Sequence, residues 1–194
     1  MPDGLAVIIG AATPPGRLAS AARALGDLAR SDRPDVAVTI VDLAATPVEI
    51  CDGRPHDVYG ERTRAAVHAV AAARAIVIAA PVYRASFPGV LKNLLDLLPV
   101  ESLRGKPVGI VAMGASAHHY LGVDTHLRAV LAWFGALAAP TSVYLTSADF
   151  EAGLLASSAA REELRALAGT VLALAERLAD VPLGPAPLAA RTGG

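Results

Sequence analysis

Three short runs of this sequence are almost wholly apolar: Leu5 to Ile9, Ala75 to Ala80 and Pro107 to Ala112. Runs of that length without polar alternation are strands covered on both faces, the situation of a parallel sheet. Val36 to Val41 and Ala139 to Leu145 are two further strand candidates. Between the five lie segments of helical periodicity, at about 18–29, 58–73, 89–98, 119–135 and 157–179. In the last of these, Leu164, Leu167, Val171, Leu174 and Leu178 form one apolar stripe, with Ser157 or Ser158 as cap and Arg161, Glu162 and Glu163 on the wet face. Five strands alternating with helices, without hairpin turns, predict a doubly wound α/β parallel sheet with right-handed crossovers. Because only five strands can be counted, the order 2-1-3-4-5 is preferred to the six-stranded dinucleotide order.

A chain of 194 residues, 54% of them hydrophobic, has enough apolar material for one full core. We read residues 1–181 as a single domain and the Pro-rich residues 182–194 as an extended tail. A net charge of −1 argues against a nucleic-acid partner. The lone Cys51 cannot form an intrachain disulfide, no run of 18 apolar residues is free of breaks, and Met1-Pro2-Asp3-Gly4 lacks a basic leader start; no membrane association and a cytoplasmic location are expected. His118 and His119 are adjacent and lack acidic or thiol neighbours at ligand spacing, so no metal is expected.

In the 2-1-3-4-5 order the winding switches between the first and third strands, so the loops after the first, third and fourth strands should line one crevice. The first loop, Gly10-Ala11-Ala12-Thr13-Pro14-Pro15-Gly16-Arg17, opens a helix whose amides, with Arg17, suit an anion such as phosphate, although a plain connection has the same composition. It has neither the Walker pattern nor Gly-x-Gly-x-x-Gly. The second, Pro81-Val82-Tyr83-Arg84-Ala85-Ser86-Phe87-Pro88-Gly89, reads as a rigid shelf with exposed amides. In the third, Met113-Gly114-Ala115-Ser116-Ala117-His118-His119, small residues let amides approach the polar rim of a flat ring.

The stretch from Pro81 through Leu91-Lys92-Asn93 to Pro99, followed by Leu103-Arg104-Gly105-Lys106-Pro107-Val108 and Gly114-Ala115-Ser116-Ala117-His118, resembles the NADPH-dependent FMN reductase family. Within it the similarity is nearest to the reductase components of two-component sulfonate monooxygenase systems. The resemblance implies an α/β flavodoxin-like three-layer sandwich, FMN as cofactor or substrate, NADPH or NADH as hydride donor, and a homodimer or homotetramer. Carried over by position, it places the ring shelf on Pro81, Val82, Tyr83 and Arg84 and the far wall on Gly114, Ala115 and Ser116. The phosphate loop falls on Gly10, Thr13, Gly16, Arg17 and Leu18. There this sequence departs from the family, which has a Ser after the glycine and more hydroxyls; only Thr13, Arg17 and Ser20 remain here, which predicts weak FMN binding. Sulfonate-system reductases also carry an inserted aromatic that makes a π-bulge in the fourth helix. Thr125, beside His126, stands at that place and leaves the bulge open.

The implied function is an NAD(P)H:FMN oxidoreductase that supplies reduced flavin to a partner monooxygenase. The alternatives are a quinone, azo or chromate reductase with bound FMN, and a non-catalytic flavin-binding module. No general acid or base is assigned, because the cofactors supply the reactivity. Arg84 reads either as a steering charge for the donor's phosphates or as a solvated loop arginine. Apolar excess on the third helix (Val90, Leu91, Leu94, Leu95, Leu97, Leu98) and Trp133-Phe134 on the fourth predict a dimer built from these two helices.

Overall fold

The computed structural model describes residues 4–13, 16–179, 181 and 183–185. The apolar runs form β1 (Leu5–Ile9), β3 (Ala75–Pro81) and β4 (Pro107–Met113), with β2 (Val38–Asp42) outside β1. Pairing is parallel, in the order β2-β1-β3-β4 and then the fifth position, as the sequence predicts. That fifth position is two short pieces rather than one strand over 139–145: β5 (Leu137–Ala138) pairs the start of β4 and β6 (Val143–Leu145) its end. Pro140 lies between them, where its missing N–H ends the ladder.

Alternate strand residues feed two cores. Leu5, Val7, Ile9, Ala75, Val77 and Ala79 face α1 (Arg17–Asp32) and α5 (Ser158–Arg177). Ala6, Ile8, Ile76, Ile78 and Ile110 face α2 (Glu61–Ala72), α3 (Gly89–Leu97) and α4 (Leu121–Trp133). The three-layer sandwich is thus the one expected. Ser157 caps α5 by accepting the Ala160 amide at 3.1 Å. α2 starts later than its apolar periodicity suggests, because His56–Val58 forms a 3₁₀ turn and Gly60 begins the helix.

Two features differ from the sequence reading, and one that it left open is decided. α4 is α-helical through Thr125, so the possible π-bulge is not formed. A hairpin absent from that reading, β7 (Phe150–Glu151) with β8 (Leu154–Leu155), stands beside α1; Ser20 anchors it by accepting the Leu155 amide at 3.1 Å. Leu91, Leu94, Leu95 and Leu97 of α3 are all core residues, and leave little of the apolar excess expected at a subunit surface. Of the predicted tail only Leu183, Gly184 and Pro185 fall among the described residues. No helix among the described residues is long and apolar enough to cross a membrane.

Candidate functional site

β1, β3 and β4 end at one edge of the sheet, and a cavity of about 250 Å³ opens there. Thr13, Gly16, Arg17, Leu18, Pro81 and Tyr83, all expected at the site from sequence, line it together. Its electrostatic focus is the start of α1. Gly16 occupies the cap position, no side chain caps the helix, and its first turn holds no acidic residue. The first-turn amides and the positive end of the helix dipole are therefore left uncapped by any side chain at the cavity, and Arg17 adds a full charge. That donor set fits a phosphate. Ser20, the other hydroxyl expected there, is engaged with β8 instead, so Thr13 is the one aliphatic hydroxyl lining the cavity among the described residues, beside the phenol of Tyr83.

The shelf is more constrained than its sequence suggests. Tyr83 and Ser86 exchange both backbone hydrogen bonds, at 2.7 and 3.0 Å, and close a two-residue turn on Arg84 and Ala85. Both central residues have left-handed backbones, at φ 50° and 62°, which costs about 1–2 kcal/mol each for a residue with a Cβ. Such strain persists where the surroundings over-determine the loop, and it concentrates at ligand sites. The turn lifts Tyr83 to 43% exposure beside the cavity mouth, while Arg84 sits at the exposed tip outside the cavity lining. The Val82 amide donates to the Met113 carbonyl at 2.8 Å and ties the shelf to the end of β4.

The remaining expected residues lie outside the cavity lining. Gly10 serves packing: its amide donates to Ala79, and a Cβ there would sit 3.0 Å from Leu91 of α3. Gly114, Ala115 and Ser116 form the neighbouring rim, held by Tyr144 of β6. The Tyr144 hydroxyl donates to the Ser116 carbonyl at 2.7 Å, and burial pushes its phenol above the ordinary value, so it stays a neutral donor. Gly114 makes room for that ring, because a Cβ there would lie 1.9 Å from the tyrosine oxygen.

Two functional neighbours escape sequence reasoning. Asp42, at the end of β2, lines the cavity as an acid close to the phosphate-suited helix start. Its charge is compensated by Arg23 at 2.8 Å and by the amides of Ala44 and Ala45 at 3.1 and 3.2 Å. An acid directly after an apolar strand run, at the carboxyl edge, is the one signal that points to it. Tyr144 carries no local signal, since it reaches the site only through the pairing of β6 with β4.

A cavity of about 250 Å³ is below the ~300 Å³ at which ordinary small-ligand pockets begin. It has room for the phosphate end of a ligand, and a flat ring would extend over the Pro81–Tyr83 shelf outside it.

The family model for NADPH-dependent FMN reductase matches residues 4–151. An NAD(P)H-dependent FAD/FMN reductase from Geobacillus thermodenitrificans is 37% identical over 140 residues, 72% of this chain and 76% of that protein. The NADH-dependent FMN reductase SfnF of Pseudomonas fluorescens is 43% identical over 86 residues, 44% of this chain and 46% of that one. Among solved structures, an NADH:FMN oxidoreductase in its apo form shares the fold with a TM-score of 0.75, at 24% identity over 95% of this chain and 97% of that one.

Proposed function

The chain belongs to the NADPH-dependent FMN reductase family, and on that premise we propose that it transfers hydride from NADPH or NADH to FMN. The observation that carries this reading is the shared cavity, in which an uncapped helix start with Arg17 meets the Pro81–Tyr83 shelf. Arg17, the first-turn amides of α1 and Thr13 would hold the phosphate. Pro81, Val82 and Tyr83 would support the ring, with the Gly114–Ser116 rim as its far wall. FMN held there would supply the hydride-accepting ring for a reduced nicotinamide. The chain's own contribution is position: a strained, doubly hydrogen-bonded shelf fixes one ring face, and the open mouth leaves the other face to the donor.

A single aliphatic hydroxyl, Thr13, and Asp42 beside the phosphate end favour weak retention. Weak retention suits an enzyme that releases reduced flavin to a flavin-dependent monooxygenase. α4 favours self-association: Leu121, Ala129, Ala132 and Trp133 are exposed along it, and Trp133 is 53% exposed with its ring perpendicular to that of Phe134. A second copy covering this face makes a homodimer or homotetramer.

NADPH and NADH oxidation by the purified chain, measured with and without added FMN beside an absorbance spectrum, tests the reading. Colourless protein with FMN-dependent turnover is expected. Yellow protein that reduces quinones or azo dyes without added flavin would shift the assignment to a bound-cofactor reductase, and absence of FMN-dependent turnover would refute it.

A further inference from the structure

A second cavity, of about 940 Å³, lies beside the first, between α1 and the β7–β8 hairpin. The two share Gly16, Arg17 and Ala19 as a common wall, so the start of α1 borders both. The larger one carries three arginines, Arg17, Arg23 and Arg161, against one acid, Asp27, which is paired with Arg30 at 2.9 Å. Arg23 and Arg161 each direct one guanidinium nitrogen to a protein partner, Asp42 at 2.8 Å and the Leu155 carbonyl at 2.6 Å. A guanidinium has five N–H donors, so most of this capacity remains for a ligand. The groove also has an apolar lining. Leu28 lines it, as does Leu154, which the hairpin turn leaves 67% exposed. That turn is built on the left-handed residues Ala152 and Gly153, at φ 48° and 83°.

Three guanidinium groups with exposed apolar side chains among them suit a phosphate carrying an aromatic base. The common wall gives the direction. A mononucleotide phosphate at Gly16 and Arg17 ends there, whereas a second phosphate joined to it continues past the wall into the groove. We propose that the groove is an adenosine-phosphate subsite, in which a dinucleotide with its reactive half on the shelf, or over the ring held there, lays its adenylate half along Arg23, Arg161, Leu28 and Leu154. This rests on the flavin reading of the shelf for the reactive half. Two molecules present that chemistry: FAD, whose halves join at the phosphate the common wall would hold, and the nicotinamide donor.

Four dissociation constants on the full chain separate them: FMN against FAD, and NADPH against reduced nicotinamide mononucleotide. Leu154→Glu puts a carboxylate in the groove lining, and Arg161→Gln removes one of its three positive charges; circular dichroism checks that both variants fold. At least a tenfold preference for one dinucleotide over its mononucleotide is expected, falling to threefold or less in both variants. The pair that responds identifies which dinucleotide uses the groove. If neither dinucleotide is preferred, or if the preference survives both substitutions, the subsite is refuted. Failure of FMN to bind at all would refute the shelf reading alone. The groove would then be decided by ADP binding to the full chain, with saturable binding lost in Leu154→Glu supporting it and no binding overturning it.

Discussion

Gly114→Ala is the sharpest perturbation of the rim, because its effect is read from one contact. The new Cβ would lie 1.9 Å from the Tyr144 hydroxyl oxygen and 3.0 Å from its ring carbon Cζ. Tyr144 must therefore move, and its 2.7 Å bond to the Ser116 carbonyl is lost with that movement. Overpacking of a set core costs about 1–3 kcal/mol, and the net value of the hydrogen bond adds about 1 kcal/mol. The substitution should thus destabilise by about 2–4 kcal/mol. Tyr144→Phe removes the bond without the clash and should cost about 1 kcal/mol.

The double variant separates the two contributions. With the hydroxyl gone, the nearest atom to the new methyl is Cζ, which needs a shift of only a few tenths of an ångström. The pair should therefore be less destabilised than the sum of the single variants, with a coupling of about 1–2 kcal/mol. Urea unfolding of the four proteins by far-UV circular dichroism reads this directly, with equal m-values as the check on a common unfolded state. FMN affinity should weaken with Gly114→Ala, since Tyr144 fixes the Gly114–Ser116 rim. Additive stabilities, or a Gly114→Ala variant as stable as the parent, would refute the placement of the Tyr144 ring against Gly114.

Asp42→Asn removes a negative charge from the phosphate end while keeping the oxygen that accepts from Ala44 and Ala45. A repulsion of about 1 kcal/mol at effective protein dielectric should vanish, tightening FMN roughly fivefold and leaving riboflavin unchanged. Equal effects on both flavins in a titration would sink that argument. Ala85→Gly relieves a left-handed alanine, and against glycine's greater chain entropy the net gain should be about 0.5–1 kcal/mol in chemical unfolding; a loss would mean that the turn does not constrain the shelf. Burial pushes the Asp124 carboxyl up, but hydrogen bonds from Arg128 and Ser142 and the Arg128 charge outweigh it and hold the group below its ordinary value. Its contribution is therefore complete above about pH 4 and lost as pH falls through the lowered folded value. Asp124→Asn should cost about 1.5–3 kcal/mol at pH 7, and the gap to the parent should narrow below about pH 4. A gap that stays constant down to pH 2 contradicts this.

What the sequence discloses and what it hides divide along a physical line. β1, β3 and β4 are covered on both faces, so each reads as an unbroken apolar run, and the loops following them are contiguous with those runs. The edge strand β2 is partly exposed and its pattern is mixed; it therefore begins two residues later than composition suggests, at Val38 rather than Val36. The β7–β8 hairpin has two-residue strands, too short for any period to register. Site residues follow the same rule: Thr13, Arg17, Asp42 and Tyr83 stand at or beside the ends of their strands, whereas Tyr144 reaches the site only through the pairing of β6 with β4.

Asn93 shows why a motif match and a contact with ligand are different findings. It lies in the stretch that carries the family resemblance, immediately after the shelf, yet its side chain serves the loop after β2. Its carbonyl oxygen accepts the Cys51 amide and its amide donates to the Glu49 carbonyl, both at 2.8 Å. Those two bonds pin the long connection between β2 and α2 to α3, and Arg54, stacked 4.4 Å over Tyr59, closes the same loop. α3 also carries Leu91, which packs against Gly10 at the start of the phosphate loop. The helix that follows the shelf is therefore a brace: it fixes the ends of β1 and β2 relative to β3, and so sets the spacing between helix start and shelf on which a flavin's phosphate and ring both depend. A family can hold such a segment fixed although few of its side chains face the cavity, because a change in the brace moves every wall of the site at once.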